Sequence, residues 1–563
     1  MPTAPNLPGR PLAWLAALLV LLLAQTQTFQ RRHSITYDET IYLNLALDTI
    51  RERAISPEFP ALGVAPLPVL AHYVLPLAWT IDPGEKRPSS QAPRDGDLRL
   101  VRVARVVSSV VAGGALVTII FVWLLRRRGT FAAVLGAGLA VLSPTVVAHA
   151  SLATTDMTAA VLGLGGAAAI AWWASAPTPA RTAACAALIA LAMSAKYSLL
   201  ILLPVAVIVV VREVIRRSGE RSRVTIGQAL GAVALLAVLV PPFWWAGHLF
   251  ARGTADAPAS AASLAELATV DGVRAFALST APVLGLRHQL IHSREGEEAF
   301  LTGERSNRGW WYYYPMTFLV KSTPVELLLT VCVAVFLAHG ASRGVRRALL
   351  SLDTALFTLL CVAVVLWAGV TTSSLDIGHR YILLCYPVLF VAAIDRLTEA
   401  LGGRPAVLWG TAGLLLAGQL ASSLSIAPHY LAYANGLAGG PSRVWTLLAD
   451  SSLDWGQDLP ALREYLDDHV RGPVILSYFG TALPDAYGVR GDDLEHLHHP
   501  PEEYAAIAIS VTHLHGLHLG QRDPFERFRS LTASAQPGYS IMVYDLSAPR
   551  AREALHYALS VMH

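Results

Sequence analysis

Long apolar runs alternate with short charged turns over most of the chain. A helix of about 20 apolar residues crosses the roughly 30 Å of hydrocarbon in a bilayer, and by this criterion the pattern predicts about eleven spans. Their limits are 12–29, 101–125, 131–149, 152–174, 182–195, 197–211, 224–248, 311–338, 348–370, 380–397 and 405–427. The fifth and sixth are short, and we expect them to meet near Lys196. The pattern therefore predicts an α-helical polytopic membrane protein.

Arginine clusters predict the orientation of the spans. RRR at 126–128 and SRGVRR at 342–347 fall on turns of the same side, which the positive-inside rule assigns to the cytoplasm. The first run has no convincing small-x-small cleavage site, so we expect a retained span and not a signal peptide. We therefore expect the N-terminus inside, and the loops 30–100 and 249–310 and the C-terminus outside.

The polar region 428–563 follows a different pattern. VILSYFG, YAAIAISV and SIMVYDLS are typical of strands, and LPALREYLDDHV is typical of an amphipathic helix. We therefore predict a membrane domain at 1–427 and a small extracytoplasmic α/β domain at 428–563.

Composition narrows the class of protein and its partners. With 54% hydrophobic and 15% charged residues, the chain is neither an ordinary soluble protein nor a disordered one. The net charge of +3 gives no reason to expect a nucleic-acid partner. All four cysteines lie in apolar runs and are expected to be small core residues. The alanine-rich composition and compact loops favour a bacterial inner membrane.

Charges of both signs gather at the span ends that we expect to face outside. They are Asp38, Glu39, Asp156, Lys196, Lys321, Glu326, Asp376, His379 and Arg380. Each has an ordinary structural interpretation by itself: Asp38 could cap a helix with Glu39 in its first turn, and Lys196 could extend to the interface. Ionisable groups at membrane depth are costly, however, and their convergence on one side favours a functional site.

Two further features carry weaker indications. GWWYYYP at 309–315, which includes Trp310, is typical of an aromatic belt at the interface, although its rings could also stack on a sugar. Histidines cluster at 496–499 and in THLHGLH at 512–518. No carboxylate or cysteine stands at a recognisable spacing from them, so we predict no metal site there.

This set of groups fits the transfer of a sugar from a lipid-linked donor. A carboxylate such as Asp38 or Glu39 can take the proton of an attacking hydroxyl. Cations such as Lys196, Lys321 and Arg380 can stabilise the charge that develops on a phosphate leaving group. One base and a phosphate leaving group predict a single displacement with inversion.

The chain resembles the polyprenyl-phosphate-dependent glycosyltransferases of the GT-C superfamily, and within it the protein O-mannosyltransferase and aminoarabinose-transferase group, of glycosyltransferase family 39 type. The matching segments, in chain order, are TYDETIYL, HASLATTDM, SAKYSLLILLP, GWWYYYPMTFLVKSTP, DIGHRYILLCYPVLF and DSSLDWGQDLPALREYL. Together they cover most of the chain. The resemblance implies a GT-C fold, a polyprenyl-phosphate-linked sugar as donor, an acceptor glycan, lipid or protein, and surrounding membrane lipid.

The resemblance also implies roles for individual residues. An acid in the first external loop is the catalytic base in such enzymes, and Asp38 matches that position best, with Glu39 as its neighbour. Residues that would bind the donor phosphate or substrate are Lys196, His379, Arg380, Asp156, Lys321, Trp310 and Tyr42. Candidates on the acceptor side are Asp454, Trp455, Gln457 and Asp458. These four could equally be ordinary capping and core residues of the helix that follows.

Some features depart from the resemblance or leave alternatives open. The loop 249–310 is too short for the β-trefoil domain usual in protein mannosyltransferases, so protein O-mannosylation is less favoured. Related members differ in their need for a divalent metal, so metal dependence stays open and no metal ligand is predicted. The main alternative function is a transporter or flippase of lipid-linked saccharides, and the second is a structural membrane scaffold.

Overall fold

The computed structural model describes residues 10–79, 97–217, 226–249, 251, 279–520 and 522–562. Parts of the predicted loops 30–100 and 249–310 therefore lie outside the described residues. Within the described ranges, nine helices are long and apolar enough to cross a membrane. They are Pro11–Arg32, Asp97–Arg128, Thr155–Ser175, Tyr197–Arg216, Ile226–Gly247, Pro324–Ser342, Thr354–Thr371, His379–Leu401 and Pro405–Leu424. The predicted polytopic helical fold class is confirmed, with fewer full-length spans than predicted.

One predicted span, 131–149, is a broken helix. It consists of Thr130–Val141 and Pro144–Ala150, which are bent by 70° to each other. Pro144 begins the second helix, where its missing N–H costs no hydrogen bond. Counting this pair as one span gives up to ten.

Another predicted span, 182–195, is the helix Pro179–Met193. With 15 residues it is too short to cross a bilayer unaided. Lys196 lies three residues after the end of this helix. It directly precedes the turn with which the span Tyr197–Arg216 begins. The chain therefore re-enters the helical bundle at Lys196, as the sequence predicted.

The predicted span 311–338 begins too early. Residues Tyr313–Lys321 form a separate helix, and the span itself begins at Pro324. Thr323 and Glu326 cap it reciprocally, because each backbone N–H donates to the side chain of the other at 2.7 and 3.1 Å. This capping box ends the preceding segment and starts a new helix.

The elements between the spans are short. The helices are Tyr37–Glu52, Glu58–Ala61, Pro66–Val69, Leu75–Leu77, Ala281–Glu295 and Val345–Ser351. A small antiparallel hairpin joins Ala299–Leu301 to Glu304–Ser306. Its turn contains Gly303 at a φ of 94°, a conformation that glycine adopts without strain.

The C-terminal region contains a three-stranded sheet where strands were predicted. Its strands are Val474–Ser477, Ala506–Ser510 and Ile541–Asp545; the first two are parallel and the third is antiparallel to the second. The helices Leu459–His469 and Pro549–Met562 accompany them.

The sheet does not pack alone. All residues of the first two strands are buried, which requires cover on both faces. One apolar cluster joins strand residues such as Val474 and Ala506 to Leu43 and Leu47 of the helix Tyr37–Glu52. The segment after the first span and the C-terminal sheet therefore share a core, and residues that follow the first two strands line part of the cavity described next.

Candidate functional site

A cavity of about 730 Å³ lies between the helix Tyr37–Glu52, the starts of three spans and the C-terminal region. Its lining combines acids, cations, aromatic rings and a few aliphatic side chains. It includes Tyr37, Asp38, Tyr42, Leu62, Val64, Thr155, Lys196, His292, Glu297, Arg380, Tyr381, Asp450, Trp455, Phe479, His513 and His518. Segments that are far apart in the sequence thus meet here.

Two acids and two cations alternate along one wall, and we name them the charge chain: Asp38, Arg380, Asp156 and Lys196. The Arg380 guanidinium pairs with Asp38 and lies 4.0 Å from the carboxylate of Asp156. Lys196 Nζ lies 2.5 Å from the other oxygen of Asp156. The side-chain hydroxyl of Tyr42 donates to Asp38 at 3.3 Å. The sequence-predicted residues of the charge chain are therefore brought together.

The members of the charge chain differ in their access to the cavity. The side chains of Asp38 and Lys196 are 17% and 21% exposed, whereas that of Asp156 is 1% exposed. Arg380 is 10% exposed. Asp38 is thus the acid of the chain that a substrate can reach, and Asp156 is sealed behind the two cations and holds them.

Aromatic rings support both cations. The Arg380 guanidinium carbon lies 4.3 Å from the centre of the Trp455 ring, and Lys196 Nζ lies 4.5 Å from that of Tyr381. Such contacts hold a cation in place without using its hydrogen-bond donors. Among the described residues, Arg380 Nε is buried and has no hydrogen-bond partner, whereas the Arg380 side chain as a whole is 10% exposed.

Glu39 lies outside the cavity, which corrects its placement beside Asp38 as a catalytic candidate. Its side chain is fully buried and pairs with Arg105 at 2.6 Å. It also accepts from the N–H groups of Thr36 and Ala153 at 2.9 and 3.0 Å. Burial by itself raises the pKa of Glu39. The charge of Arg105 and these hydrogen bonds lower the pKa by more than burial raises it, so the net shift is downward. Glu39 anchors the start of the helix, as its ordinary interpretation proposed.

The local sequence explains why the two neighbouring acids differ. Thr36 and Glu39 form a capping box at the start of the helix Tyr37–Glu52. Adjacent helical residues point about 100° apart, since 3.6 residues make one turn. With Glu39 turned inward to Arg105, Asp38 is directed to the cavity.

Lys321 and His379 are also absent from the cavity lining, which corrects their expected contact with a phosphate. Lys321 is buried and donates to the carbonyls of Leu431 and Ser452 at 2.7 and 2.6 Å; burial lowers its pKa to about 7. The ring of His379 bonds the Tyr386 hydroxyl, and its backbone N–H donates to Ser452 Oγ at 3.0 Å. Both residues fix the segment around Ser452, three residues before Trp455.

Trp310 does not line the cavity, whereas Tyr42 does. The backbone N–H of Trp310 donates to Asp376 at 2.5 Å, so its segment supports the loop before Arg380. Burial raises the pKa of Asp376 to about 7.

Of the four acceptor-side candidates, one lines the cavity and three do not. Trp455 lines the cavity, while Asp454, Gln457 and Asp458 are buried behind it. Asp454 accepts from the Thr512 N–H at 2.9 Å, and burial raises the pKa of Asp454 to about 7. These three residues hold the loop that presents Trp455.

Several lining residues were missed by sequence reasoning. The rings of Tyr37, Phe479 and His518 form a stack, with centroid separations of 5.5 and 5.3 Å. The hydrogen bond from His518 to Asp450 raises the pKa of His518. In the sequence, only the histidine cluster of THLHGLH indicated this part of the site. The contacts of His518 with Phe479 and Asp450 are formed by the fold and cannot be read from the sequence.

Two groups of described residues place three metal-binding atoms close together. They are His33, His429 and Asp458, and the exposed group Asp493, Glu495 and His496. Neither lines the cavity.

Comparisons with known proteins give an overall likeness. No family model and no curated protein matches the chain. Among solved structures, ArnT from Cupriavidus metallidurans bound to undecaprenyl phosphate aligns with a TM-score of 0.45 and 13% identity, over 96% of this chain and 98% of that one. The apo structure of ArnT aligns with a TM-score of 0.43 and 15% identity, over 94% and 97%. Similarity at this level assigns no residue role, and the chain is described from its own structure as a multi-pass membrane protein.

Proposed function

We propose that the chain is an integral-membrane glycosyltransferase of GT-C type. It would move a sugar from a polyprenyl-phosphate donor to an acceptor hydroxyl, with inversion. The observation that carries the proposal is the charge chain, in which a reachable carboxylate, Asp38, pairs with Arg380, and a second cation, Lys196, lines the same cavity. The undecaprenyl phosphate in one ArnT structure belongs to the same lipid class; the proposal itself rests on the cavity.

Asp38 is proposed as the general base. A hydroxyl is a weak nucleophile, and a carboxylate within hydrogen-bond distance increases its reactivity by taking its proton as the new bond forms. Glu295, Glu297 and Asp450 also line the cavity, and Glu297 and Asp450 face His292 and His518 at 2.7 and 3.4 Å. Among these four lining acids Asp38 alone pairs with Arg380, so it stands beside the proposed phosphate position.

Arg380 and Lys196 are proposed to hold the donor phosphate. When the anomeric carbon leaves the phosphate oxygen, negative charge grows on that oxygen, and fixed cations stabilise it. The Arg380 side chain lines the cavity and is 10% exposed, and guanidinium donors match phosphate oxygens geometrically. Asp156 keeps both cations in position from the rear.

Inversion follows from this division of roles. The acceptor oxygen attacks the anomeric carbon while the phosphate leaves from the opposite side, so one displacement occurs. No proton need be given to the leaving group, because Arg380 and Lys196 neutralise it. The cavity volume of about 730 Å³ lies within the range of about 300–1,000 Å³ that is typical of small-molecule sites.

The cavity is proposed to open at the extracytoplasmic face of a bacterial inner membrane, with the C-terminus on that side. Arg396 lies near the other end of the span His379–Leu401, which begins at the charge chain, and Arg127 and Arg128 at the end of Asp97–Arg128 pair with Asp395 of that span. Arginines at span ends favour the cytoplasmic side.

The experiment uses the full chain in nanodiscs with a panel of radiolabelled polyprenyl-phosphate sugars and acceptors of the three classes: glycan, lipid and protein. We expect release of polyprenyl phosphate with one donor, together with a labelled acceptor whose anomeric configuration is inverted. A flippase would move the donor across liposomes without cleaving it. Absence of both binding and release across the panel would contradict the proposal.

A further inference from the structure

Three side chains from distant parts of the chain converge beside the cavity region without lining it. His33 follows the first span, His429 follows the last span, and Asp458 immediately precedes the helix Leu459–His469. His33 Nε2 lies 3.1 Å from His429 Nδ1. Asp458 Oδ1 lies 3.5 Å from the first nitrogen and 3.6 Å from the second. Three potential ligand atoms thus form a small triangle.

The size of this triangle matches a tetrahedral metal. Zinc bonds to histidine nitrogen and carboxylate oxygen measure about 2.0–2.2 Å, so two ligand atoms of a tetrahedral site are about 3.3 Å apart. The three separations, 3.1, 3.5 and 3.6 Å, lie close to this distance. The Asp458 separations are too long for good hydrogen bonds, and Oδ1 has no hydrogen-bond partner among the described residues although the side chain is fully buried.

The surroundings prepare two of these atoms to act as ligands. His33 Nδ1 bonds the carbonyl of Phe29 at 2.7 Å, so Nδ1 carries the proton and Nε2 presents its lone pair to the triangle. Asp458 Oδ2 accepts from Gln457 and Ser540, both at 2.7 Å, which leaves Oδ1 free. Metal-binding histidines and carboxylates are commonly oriented by such outer hydrogen bonds.

We propose that His33, His429 and Asp458 bind one divalent metal ion, with zinc as the best match to two imidazoles and a carboxylate. A water would take the fourth position from the side of His429, whose side chain is 24% exposed. The ion would fasten the end of the first span to the segment that carries Trp455. Its ligand His33 lies five residues before Asp38 in the chain. This structural role does not depend on the transfer reaction.

The test measures metal content of the full chain purified in detergent without chelator, incubated with zinc and desalted. We expect about one zinc per chain in the wild type and loss of this zinc in His429→Gln and in Asp458→Asn. His496→Gln is the matched control, because His496 belongs to the exposed group of two acids and one histidine, and it should keep the zinc. Cobalt in place of zinc should give the visible spectrum of a tetrahedral site.

A chelator provides a second readout that needs no variant. We expect EDTA to lower the Tm of the wild type and zinc to restore it, with no such effect in His429→Gln. The proposal is overturned if the wild type holds no zinc above the protein-free control. It is equally overturned if His429→Gln retains as much zinc as the wild type, or if only His496→Gln loses it.

Discussion

Ion pairs gather at both ends of the helical bundle, and the two clusters are built differently. At one end three acids and three arginines form the arginine cluster: Arg127, Arg128, Arg396, Asp353, Asp395 and Glu399. Asp395, 3% exposed, accepts from all three arginines. At the other end, three members of the charge chain line a cavity: Asp38, Arg380 and Lys196.

The difference separates a structural from a reactive arrangement of charges. In the arginine cluster each cation has at least two acidic partners, so loss of one contact leaves others. In the charge chain, by contrast, Lys196 has one acidic partner and Asp38 has one cationic partner among the described residues, and both line the cavity. Groups of this kind can exchange partners with a bound anion, whereas a saturated cluster can only hold helices together.

A large effect is expected at Arg380. We predict that Arg380→Gln lowers donor turnover by about 10²–10³-fold, because a fixed donor to the developing charge is lost. Arg128→Gln in the arginine cluster should change turnover only a few-fold, since Arg127 and Arg396 still pair with Asp395. Both variants are compared by turnover of labelled donor and by Tm. Equal losses of turnover in the two variants would remove the distinction between the clusters.

The second prediction concerns the stability contribution of Glu39, the buried neighbour of Asp38. We predict that Glu39→Gln costs about 3–5 kcal/mol of stability, because the buried Arg105 is left without its charged partner. The protein that remains folded should turn over donor at close to the wild-type rate. Adding Arg105→Met should recover part of the stability, which a double-mutant cycle measures. A Glu39→Gln protein that is stable but inactive would move the catalytic base from Asp38 to Glu39.

The smallest effect is a pH dependence at Asp376. Its folded pKa is raised to about 7 by burial, so between about pH 4 and 7 the folded state keeps a proton that the unfolded state releases. Stability should therefore fall as pH rises through this window, by at most about 1.4 kcal/mol per pH unit, and then level off. Asp376→Asn should flatten this part of the wild-type profile of Tm against pH. An unchanged slope in the variant would show that Asp376 does not titrate there.

Local pattern predicted much of the fold. The spans follow from apolar length, and the strands of VILS, AIAIS and IMVYD lie within the predicted runs. The number of full spans was overestimated because apolar character alone cannot distinguish Pro179–Met193 from a crossing helix. The break at Pro144 depends on a bend that a hydropathy pattern does not contain.

The site was predictable in part. Asp38, Asp156, Lys196 and Arg380 were named from their position at span ends; Asp38, Lys196 and Arg380 meet in the cavity, and Asp156 contacts the two cations from behind. The assignment between Asp38 and Glu39 could not be made from the sequence, because it depends on Arg105 in a different helix. The same holds for Lys321, whose carbonyl partners at Leu431 and Ser452 lie over 100 residues away.

The most direct test measures donor binding and donor turnover in the same preparation of Asp38→Asn. Asp48→Asn is its matched control, because Asp48 lies on the same helix, pairs with Arg51 at 2.5 Å and is absent from the cavity lining. We predict that Asp38→Asn binds donor within a few-fold of the wild type and turns it over about 10²–10⁴-fold more slowly, while Asp48→Asn keeps its turnover. Turnover by Asp38→Asn close to the wild-type rate would contradict the assignment of Asp38 as the base and, with it, the central claim.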